Sequence, residues 1–544
     1  MVIAPLKSDL PEQPLTDKRW KRAAYLALSV LCVAYLVTSL DNTIINVALP
    51  ILVRDLHATV TQLEWVVDSY VIVFAGLLLP AGILGDRIGR KAVFIAGLLI
   101  FGAGSAASAF SGTANLLIIS RAAMGVGAAA IMPSTLSILT AVFRRADERK
   151  GAIGIWSATS AIGVAAGPIA GGWLLAHYWW GSVFLINVPL SFLAAVAALI
   201  VVPGSRDPES RRSDPIGAIL SVVGMGALVG AIIEAPTRGW HDPLIIGVGI
   251  AGVVALIVMI LWEKKSSHPM LVMDTFHDSR FSAGMAALAL VALSLMGAMF
   301  ILTQYFQFSL GYSPFAAGLR ILPVAGVIAV AAPLATFLDR FIGSKIIVTV
   351  GMLLVGVGLF QISTSTISDG FPHALVGVIL LGGGAGLAFP LATDAVMGAL
   401  PSARLGVGSA TNSSAVQLGG ALGVAIIGSV LASRYQGYLI PLLHGHPMPA
   451  AARSAILGSL GGALMVAHIA GGSAGHLLAV AARHAFIEGM SASLKVGAAV
   501  SVAAGLGSLA FLPARRGASH LTFHHPHRRA GDRPPAGQDS QPAA

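Results

Sequence analysis

Several ionisable side chains lie inside long apolar segments of this chain, and they are the residues best suited to do chemistry. They are Asp41, Asp68, Arg121 and Asp394. A charge at the centre of a bilayer costs about 2.5–3.5 kcal/mol on insertion scales, so these groups should face other helices or water. Desolvation favours the neutral form of a carboxyl group, which allows such a group to gain and lose a proton near neutral pH. Reversible protonation is therefore the chemistry that these residue types indicate.

The charged residues differ in their position along the apolar segments. Asp41 is the main candidate for proton binding, and a structural role near the outer end of its segment is the alternative. Asp68, in the outer half of the second segment, suits a proton or substrate role and a structural role equally. Asp394 follows Pro390 and would add a carboxylate from the second half of the chain, close to the inner end of its segment. Arg121 is the candidate counter-charge because an arginine in a span needs a partner, and backbone carbonyls are the alternative partners.

The composition indicates that the apolar segments span a membrane. Of the 544 residues, 56% are hydrophobic and 11% are charged, and the mean hydropathy is +0.82. A soluble core could not bury this much apolar surface. Runs of roughly 20 apolar residues, the length that spans a bilayer as a helix, recur along almost the whole chain. The sequence therefore predicts an all-α polytopic membrane protein with about 14 transmembrane spans.

Basic residues predict the orientation of the chain. Most of the 34 Lys and Arg residues fall on the side of the N-terminus, so the positive-inside rule predicts that both termini are cytoplasmic. We predict a cytoplasmic N-terminal tail, an N-terminal six-helix bundle, an inserted two-helix hairpin with its flanking loops, a C-terminal six-helix bundle and a disordered basic cytoplasmic tail. Their ranges are 1–22, 23–202, 203–279, 280–512 and 513–544. The second bundle includes an outside loop with an interfacial helix at 434–488.

A compact, charged turn joins the second and third predicted spans. It contains Gly82, Gly85, Asp86, Arg87, Gly89, Arg90 and Lys91. The glycines allow close helix approach and a sharp turn, and the carboxylate is suited to the N-terminus of a neighbouring helix. The basic residues can pair with that carboxylate and hold the turn inside the cell, and a purely topogenic loop is the alternative. A similar pattern at 339–345 predicts two related bundles, with a substrate site near the midplane between them.

Small residues recur at helical spacing in the fifth predicted span. They are Gly163, Gly167, Gly171 and Gly172, and the same segment contains Pro168. Small residues four positions apart form a flat face on which helices pack closely, and proline bends a helix. By themselves these residues predict a tight helix interface.

Four of these segments resemble signatures of the major facilitator superfamily. Residues 82–91 resemble its turn between spans two and three, and residues 163–172 resemble the span-five motif of its antiporters. Residues 40–50 resemble the first-helix signature of fourteen-span drug:proton antiporters. Residues 121–127 resemble the fourth-span motif, with Met124 at a position where the family often has Gln. The EmrB/QacA-type subfamily is the most similar, over residues from about 23 to 512.

This resemblance implies the major facilitator fold, with two six-helix bundles plus two inserted helices. It implies that Asp86 faces the start of the thirteenth span, near Gly406, and latches one conformation. The implied function is a proton-coupled multidrug efflux antiporter of the bacterial cytoplasmic membrane, which exports amphipathic or cationic drug-like compounds by alternating access. In that cycle a carboxylate set centred on Asp41 would carry the proton, and Arg121 would bias its ionised state.

Two other functions stay open, an exporter of one endogenous metabolite and a non-transporting membrane receptor or scaffold. The sequence contains no phosphate-binding loop and no cluster of His and Cys at metal-ligand spacing, so we expect no enzymatic activity, metal or cofactor. Energy would come from the proton gradient. The expected partners are a small-molecule substrate, protons and the lipid bilayer. Nucleic acid is not expected, because the basic residues are scattered among short connections.

Overall fold

The computed structural model describes residues 18–143, 145–205, 214–266, 273–400 and 405–513. In these ranges the regular structure is helical without β-strands, and 14 helices are long and apolar enough to cross a membrane. The predicted all-α polytopic fold with about 14 spans is therefore confirmed. The predicted disordered tail and most of the predicted N-terminal tail lie outside the described residues.

The first bundle begins the chain, and its sixth span is made of two helices, α6 and α7. Its helices are α1 (Lys18–Asp55), α2 (Val60–Ile88), α3 (Arg90–Ala109), α4 (Ala114–Val142), α5 (Ala146–His177), α6 (Ser182–Leu185) and α7 (Asn187–Val201). The inserted hairpin follows as α8 (Pro215–Arg238) and α9 (Pro243–Lys265).

The second bundle is preceded by a 3-10 turn at Met273–His277, and its first helix ends in a π-helical turn at Tyr305–Ser309. Its helices are α10 (Ser279–Gln304), α11 (Pro314–Ile342), α12 (Ser344–Ser363), α13 (Gly370–Gly398), α14 (Leu405–Leu442), α15 (Ala450–Gly458), α16 (Leu460–Ala470) and α17 (Gly472–Phe511).

Several helices start at a polar cap followed by proline. Asp214 precedes α8 and accepts hydrogen bonds from two backbone N–H groups of its first turn, at 3.1 and 3.0 Å. Asp242 caps α9 and Ser313 caps α11 in the same manner, at 2.8 and 3.2 Å. A side-chain oxygen satisfies backbone donors that have no partner within the helix, and proline at the first position lacks such a donor. These local signals fix where the inserted hairpin and the second bundle enter the membrane.

The bundle has two ends, because successive spans run in opposite directions. We call the end with Gly89, between α2 and α3, the loop-89 end. We call the other end, with Trp65 in the first turns of α2, the Trp65 end. The charge distribution predicts that the loop-89 end is cytoplasmic.

Close backbone contacts join neighbouring spans, and α12 and α13 show how. A Cβ atom added at Gly351 would lie 2.7 Å from the carbonyl oxygen of Gly384, and one at Gly358 would lie 2.8 Å from that of Gly377. In lipid, helices gain little from hydrophobic burial, so close packing of small residues is a main source of their association. The many glycines of this sequence are therefore part of the packing of its spans.

Residues 434–488, predicted as an outside loop with an interfacial helix, are helical over most of their length. α14 continues to Leu442, the short helices α15 and α16 follow, and α17 already starts at Gly472. The hydroxyl of Tyr435 donates to the carbonyl of Ile456 at 3.0 Å, which ties α15 to α14. Gly461 of α16 packs against Phe308, where its Cβ would lie 2.6 Å from the ring. The short apolar helices thus form a cover over the Trp65 end.

The inserted hairpin packs on both halves of the protein through one of its helices. α8 contacts α2 of the first bundle and α14 of the second, whereas α9 packs mainly on α8. Gly252 of α9 faces the backbone of Leu228 in α8, where a Cβ would lie 2.6 Å from its nitrogen. α8 is therefore placed to respond to any movement of α2 relative to α14.

We predict the orientation of the bundle to be testable with one cysteine at each end. Cys32 is the only cysteine and is buried, so a Cys32→Ser background carries no competing thiol. Gly112, between α3 and α4, and Gly204, after α7, are exposed, and a side chain at either position meets no neighbour within 4 Å. A membrane-impermeant maleimide should label Gly112→Cys in intact cells and Gly204→Cys only after permeabilisation. The reverse pattern would show that the chain is inserted the other way round.

Candidate proton-coupling site

A buried ion pair between Asp41 and Arg121 lies inside the first bundle. Nη1 of Arg121 is 2.5 Å from Oδ2 of Asp41, and the two side chains are 1% and 0% exposed. Nδ2 of Asn187 donates to the other carboxylate oxygen, Oδ1, at 3.0 Å. The pair thus joins α1 to α4, and the amide adds α7 as a third helix. The structure brings together the two residues that the sequence predicts as the main carboxylate and its counter-charge.

Arg121 has partners besides the carboxylate. Its Nε donates to the carbonyl oxygen of Val66 in α2 at 3.1 Å, and its guanidinium lies 4.3 Å from the ring centre of Tyr70. A guanidinium that is removed from water is stabilised by a carboxylate, a carbonyl and an aromatic face together. Both of the partners expected from the sequence, a carboxylate and a backbone carbonyl, are therefore present at once.

The break between α6 and α7 positions Asn187. The hydroxyl of Ser105 in α3 donates to the carbonyl of Phe184 at 2.8 Å, and Nδ2 of Asn187 lies 3.3 Å from the same hydroxyl oxygen. Asn187 is fully buried at the first position of α7. The sequence predicts no role for it, although a buried amide in an apolar segment needs hydrogen-bond partners and is a usable signal.

The geometry allows a proton to control how these helices are held together. Breaking a buried ion pair by neutralising one partner typically costs about 3–5 kcal/mol, because the other charge is left uncompensated. Protonation of Asp41 would therefore leave Arg121 without its ionised partner. Arg121 would then depend on its contacts in α2, the carbonyl of Val66 and the ring of Tyr70. A rearrangement of α1 against α2 and α4 is the expected consequence. Such a site can convert a protonation event into helix movement.

Asp68 is fully buried on α2, and so is Glu64 one helical turn earlier. In the described part of the chain, the carboxyl oxygens of both residues have no hydrogen-bond partner. Burial of an ionised carboxylate without a partner is strongly unfavourable, so such groups tend to take up a proton. The sequence predicts Asp68 as a candidate but overlooks Glu64, whose position in the first turns of α2 makes it look like an exposed residue near the end of a span.

Asp394 lies in a different part of the fold from Asp41. Its Oδ2 is 3.7 Å from Nη2 of Arg280 at the start of α10, and its side chain is 47% exposed. Both residues are near the loop-89 end. Ion pairs exposed to this degree contribute little to stability, typically about 0–1 kcal/mol. A part for Asp394 in proton coupling stays a prediction.

The turn between α2 and α3 is fastened within the first bundle. Nε of Arg90 lies 2.6 Å from Oδ1 of Asp86, and its Nη1 donates to the carbonyl of Ser137 in α4 at 3.3 Å. The backbone N–H of Arg90 donates to Ser205 beyond α7 at 2.9 Å. Gly89 adopts φ of 123°, a conformation that residues with a side chain rarely take. The contact expected between Asp86 and the start of α14 stays a prediction.

The other residues of the turn have separate surroundings. Gly82 faces Pro133 of α4, and a Cβ at Gly85 would lie 3.5 Å from the hydroxyl of Ser134. Nζ of Lys91 donates to the carbonyl of Leu199 at 2.8 Å, which connects the turn to α7. Arg87 is exposed. The turn therefore connects α2, α3, α4 and α7 at the loop-89 end.

The glycines of α5 pack on the part of α1 that carries Asp41. A Cβ at Gly163 would lie 2.9 Å from the carbonyl oxygen of Leu36, and one at Gly167 would lie 3.0 Å from that of Leu40. Gly171 packs against Ile44 in the same way. The predicted tight interface is thus observed. It holds α1 along about two turns in all, from Leu36 to Ile44, which include Asp41.

The last residues of the same motif contact the second bundle. A Cβ at Gly172 would lie 2.6 Å from Cα of Phe315, and Gly318 faces the carbonyl of Pro168. Phe315 and Gly318 belong to the first turns of α11. α5 therefore connects the helix that carries Asp41 to the second half of the protein at the Trp65 end.

An apolar cavity lies between the two halves, on the loop-89 side of this contact. It is lined by α1 and α5 from the first bundle and by α10 and α11 from the second. Its lining residues include Thr43, Asn46, Pro168, Met296, Met299 and Ile328. Apolar walls with a few polar groups and flexible methionines suit ligands of varied shape, and this cavity of about 60 Å³ would have to widen to hold a drug-sized compound. The sequence does not predict these lining residues, because apolar side chains that face a cavity and those that face lipid are alike in type.

Known proteins with similar sequences are exporters by name. The chain is 34% identical over 425 residues to the tetracenomycin C resistance and export protein of Streptomyces glaucescens, which covers 78% of this chain and 78% of that protein. It is 35% identical over 418 residues to the multidrug efflux pump LfrA of Mycolicibacterium smegmatis, which covers 76% of this chain and 82% of that protein.

A solved structure supports the same fold. A bacterial homolog of the human lysosomal transporter Spinster, in an inward-facing and unoccupied conformation, is 18% identical and aligns with a TM-score of 0.64. The alignment covers 91% of this chain and 99% of that chain. The sequence model of the Major Facilitator Superfamily matches residues 31–424, which include the ion pair, the turn and the glycines of α5. The chain belongs to the major facilitator superfamily.

Proposed function

We propose that the protein exports amphipathic or cationic drug-like compounds in exchange for protons, by alternating access. The observation that carries this proposal is the buried Asp41–Arg121 pair, which combines a titratable group with helix contacts that depend on its charge. The names of the similar proteins, an antibiotic export protein and a multidrug efflux pump, support the direction of transport and the class of substrate.

The proposed cycle uses the contacts between the halves. In this structure the Trp65 end is packed together, with α5 on α11 and α2 on α14, and the apolar cavity lies on the loop-89 side of these contacts. Substrate would enter the cavity from the cytoplasm and leave after the halves rock open at the Trp65 end. A proton bound at Asp41 from the outside would favour the return, and its release inside would restore the ion pair with Arg121.

The energy source in this proposal is the proton gradient across a bacterial cytoplasmic membrane, with no cofactor. Each charge that moves across 100 mV contributes about 2.3 kcal/mol, which corresponds to roughly fifty-fold accumulation of substrate per proton at equilibrium. Both termini would be cytoplasmic, with the loop-89 end inside the cell. The chemistry of transport itself needs no group other than the side chains that bind and release the proton.

Export of a single compound is the second candidate, because one similar protein is named for a single antibiotic, tetracenomycin C. The cavity lining favours several substrates, since Met296 and Met299 can repack around different shapes. A panel of chemically unrelated compounds, tested for resistance in a host without its own pumps, separates the two. Protection against one compound class alone would favour the second candidate.

We predict that Asp41→Asn abolishes transport driven by a pH gradient. The amide keeps the shape of the carboxylate and can still accept a hydrogen bond from Arg121, but it cannot carry a proton. The rate of ethidium transport into inside-out vesicles under an imposed pH gradient should fall by at least about 100-fold, as when a proton-transfer group is removed. Glu488→Gln, at an exposed carboxylate of α17, is the matched control and should transport normally. Full coupled transport by Asp41→Asn would show that another residue carries the proton.

We also predict that Arg90→Gln impairs transport without preventing folding. The substitution removes the ion pair with Asp86 and the hydrogen bond to Ser137, so the turn is no longer fastened to α4. We expect transport to slow by about tenfold, since loss of a charge-assisted contact of this type weakens one conformation by roughly 1.5–3 kcal/mol at most. Lys264→Gln, an exposed charge of α9 at the same end, is the control. Equal rates for both variants in proteoliposomes would contradict a role for the turn.

A further inference from the structure

Glu64 is enclosed at the boundary between the two halves of the protein. It is 0% exposed, and among the described residues no donor meets its carboxyl oxygens in ordinary hydrogen-bond geometry, although the hydroxyl of Ser429 on α14 lies close to them. Its own helix, α2, belongs to the first bundle. The group that covers it belongs to the second bundle, because a Cβ at Gly428 of α14 would lie 2.5 Å from Oε1 of Glu64. A residue with a larger side chain than glycine at this position would force the carboxyl group to shift.

The polar groups next to Glu64 do not neutralise a negative charge. Ser429, beside Gly428, is fully buried and donates its hydroxyl to the carbonyl of Ile232 in α8 at 2.6 Å. Asp68 lies one turn further along the same face of α2, where side chains four positions apart are neighbours. The surroundings of Glu64 on α2 and α14 therefore contribute a second carboxyl group and no cation.

The charged groups of the other adjacent helices already have partners. On α8, Oε1 of Glu234 accepts a hydrogen bond from Nε1 of Trp65 at 3.1 Å, and its Oε2 is 4.0 Å from Nε of Arg238. On α4, Arg121 is paired with Asp41 of α1. Two neighbouring carboxyl groups in a dry, cation-free place cannot both be ionised at an acceptable cost.

We propose that Glu64 is the proton-binding residue of a gate between the two halves, and that α14 closes over α2 only when Glu64 is protonated. The gate consists of Glu64 on α2, Gly428 and Ser429 on α14, and the turn of α8 that holds Ile232 and Glu234. This inference rests on the proposed function, because it adds a second protonation to the return step. Glu64 takes its proton from the outside when the gate closes and returns it to the outside when the gate next opens, whereas the proton that is exchanged for substrate is the one that Asp41 releases inside.

A water-accessible cavity brings protons close to this gate. A cavity of about 850 Å³ at the Trp65 end is lined by Gln62 and Trp65 of α2, Glu234 of α8 and Gln436 of α14. Gln62 and Trp65 flank Glu64 in sequence. When the halves separate at this end, the cavity extends to Glu64 and exposes its carboxyl group to the outside. Loss of the proton then keeps the gate open, and gain of a proton lets it close.

This arrangement makes the closing step of the cycle depend on the outside pH. The open gate releases substrate and cannot reclose until a proton binds Glu64, so an empty transporter does not return without a proton. The inserted hairpin acquires a role as well, because α8 supplies Glu234 and the carbonyl that holds Ser429 in place. Glu64 is a residue of the gate, whereas Asp41 is in the interior of the first bundle.

The test measures the opening of the gate as a function of pH. Spin labels on Gly112→Cys and Ile367→Cys, in a Cys32→Ser background, report the distance between exposed loops of the two halves at the Trp65 end. Electron–electron double resonance in lipid nanodiscs then gives the ratio of closed to open protein. With one coupled proton, this ratio should fall as pH rises, by up to about tenfold per pH unit. Glu64→Gln, which mimics the protonated side chain, should stay closed at every pH.

Asp55→Asn is the matched control, because Asp55 is an exposed carboxylate at the same end, and this variant should keep the pH dependence of the parent. Gly428→Ala places a methyl group against Glu64 and should shift the ratio toward open protein at each pH. A parent protein whose distances do not respond to pH would overturn the proposal, whether or not Glu64→Gln folds. The same holds if Glu64→Gln keeps the pH dependence of the parent.

Transport by the same preparations separates failure of the gate from failure of the proposed function. If the parent exchanges ethidium for protons while Glu64→Gln responds to pH as the parent does, only the gate is wrong. If the parent exchanges nothing under an imposed pH gradient, the proposed function fails, whatever the spin labels show.

Discussion

A charged side chain that leaves water needs a partner, and the pair of Asp41 and Arg121 is where this constraint shapes the protein. The arginine connects α4 to α1 through the carboxylate and to α2 through the carbonyl of Val66. Asn187 brings in α7. Of these contacts, the ion pair between α1 and α4 depends directly on the charge of the carboxyl group. The helices around the pair are therefore joined by polar contacts in addition to the close glycine packing that also joins α12 and α13.

The glycines of α5 explain how a local change of charge reaches the other half. They place α5 against the backbone of α1 on both sides of Asp41, and the end of the same motif lies against α11. Backbone contacts of this closeness transmit a displacement, because there is no flexible side chain between the helices to absorb it. A shift of α1 would therefore move α5 and, with it, the contact at Phe315. The glycines of α5 and the ion pair thus belong to one continuous set of helix contacts that reaches from α1 to the second half of the protein.

Much of this architecture could be predicted from the sequence, since lipid imposes simple rules on composition. Runs of apolar residues predict the spans, and the cost of burying charge singles out Asp41 and Arg121 before their contact is known. Glu64 and Asn187 could not be recognised in the same way. Glu64 follows a helix start and looks exposed until α14 is placed over it. At 434–488 the sequence predicts an interfacial helix in an outside loop but not the number and bounds of the short helices, because short, glycine-rich apolar segments are ambiguous until a surface such as that around Phe308 is available for them to cover.

In the proposed cycle, the two carboxyl sites divide the work that a coupled exporter must do. Asp41 has a permanent cation next to it, so its proton competes with Arg121, and the outcome changes the contacts between helices of one bundle. Glu64 has no cation next to it in the described structure, so closing the gate itself selects the protonated form. One site responds to a proton by moving, and the other permits movement only after a proton has bound. Strict exchange needs both properties. A transporter that could close without a proton would return empty, and the proton gradient would not drive its cycle. A transporter that could bind a proton without moving its helices would export no substrate.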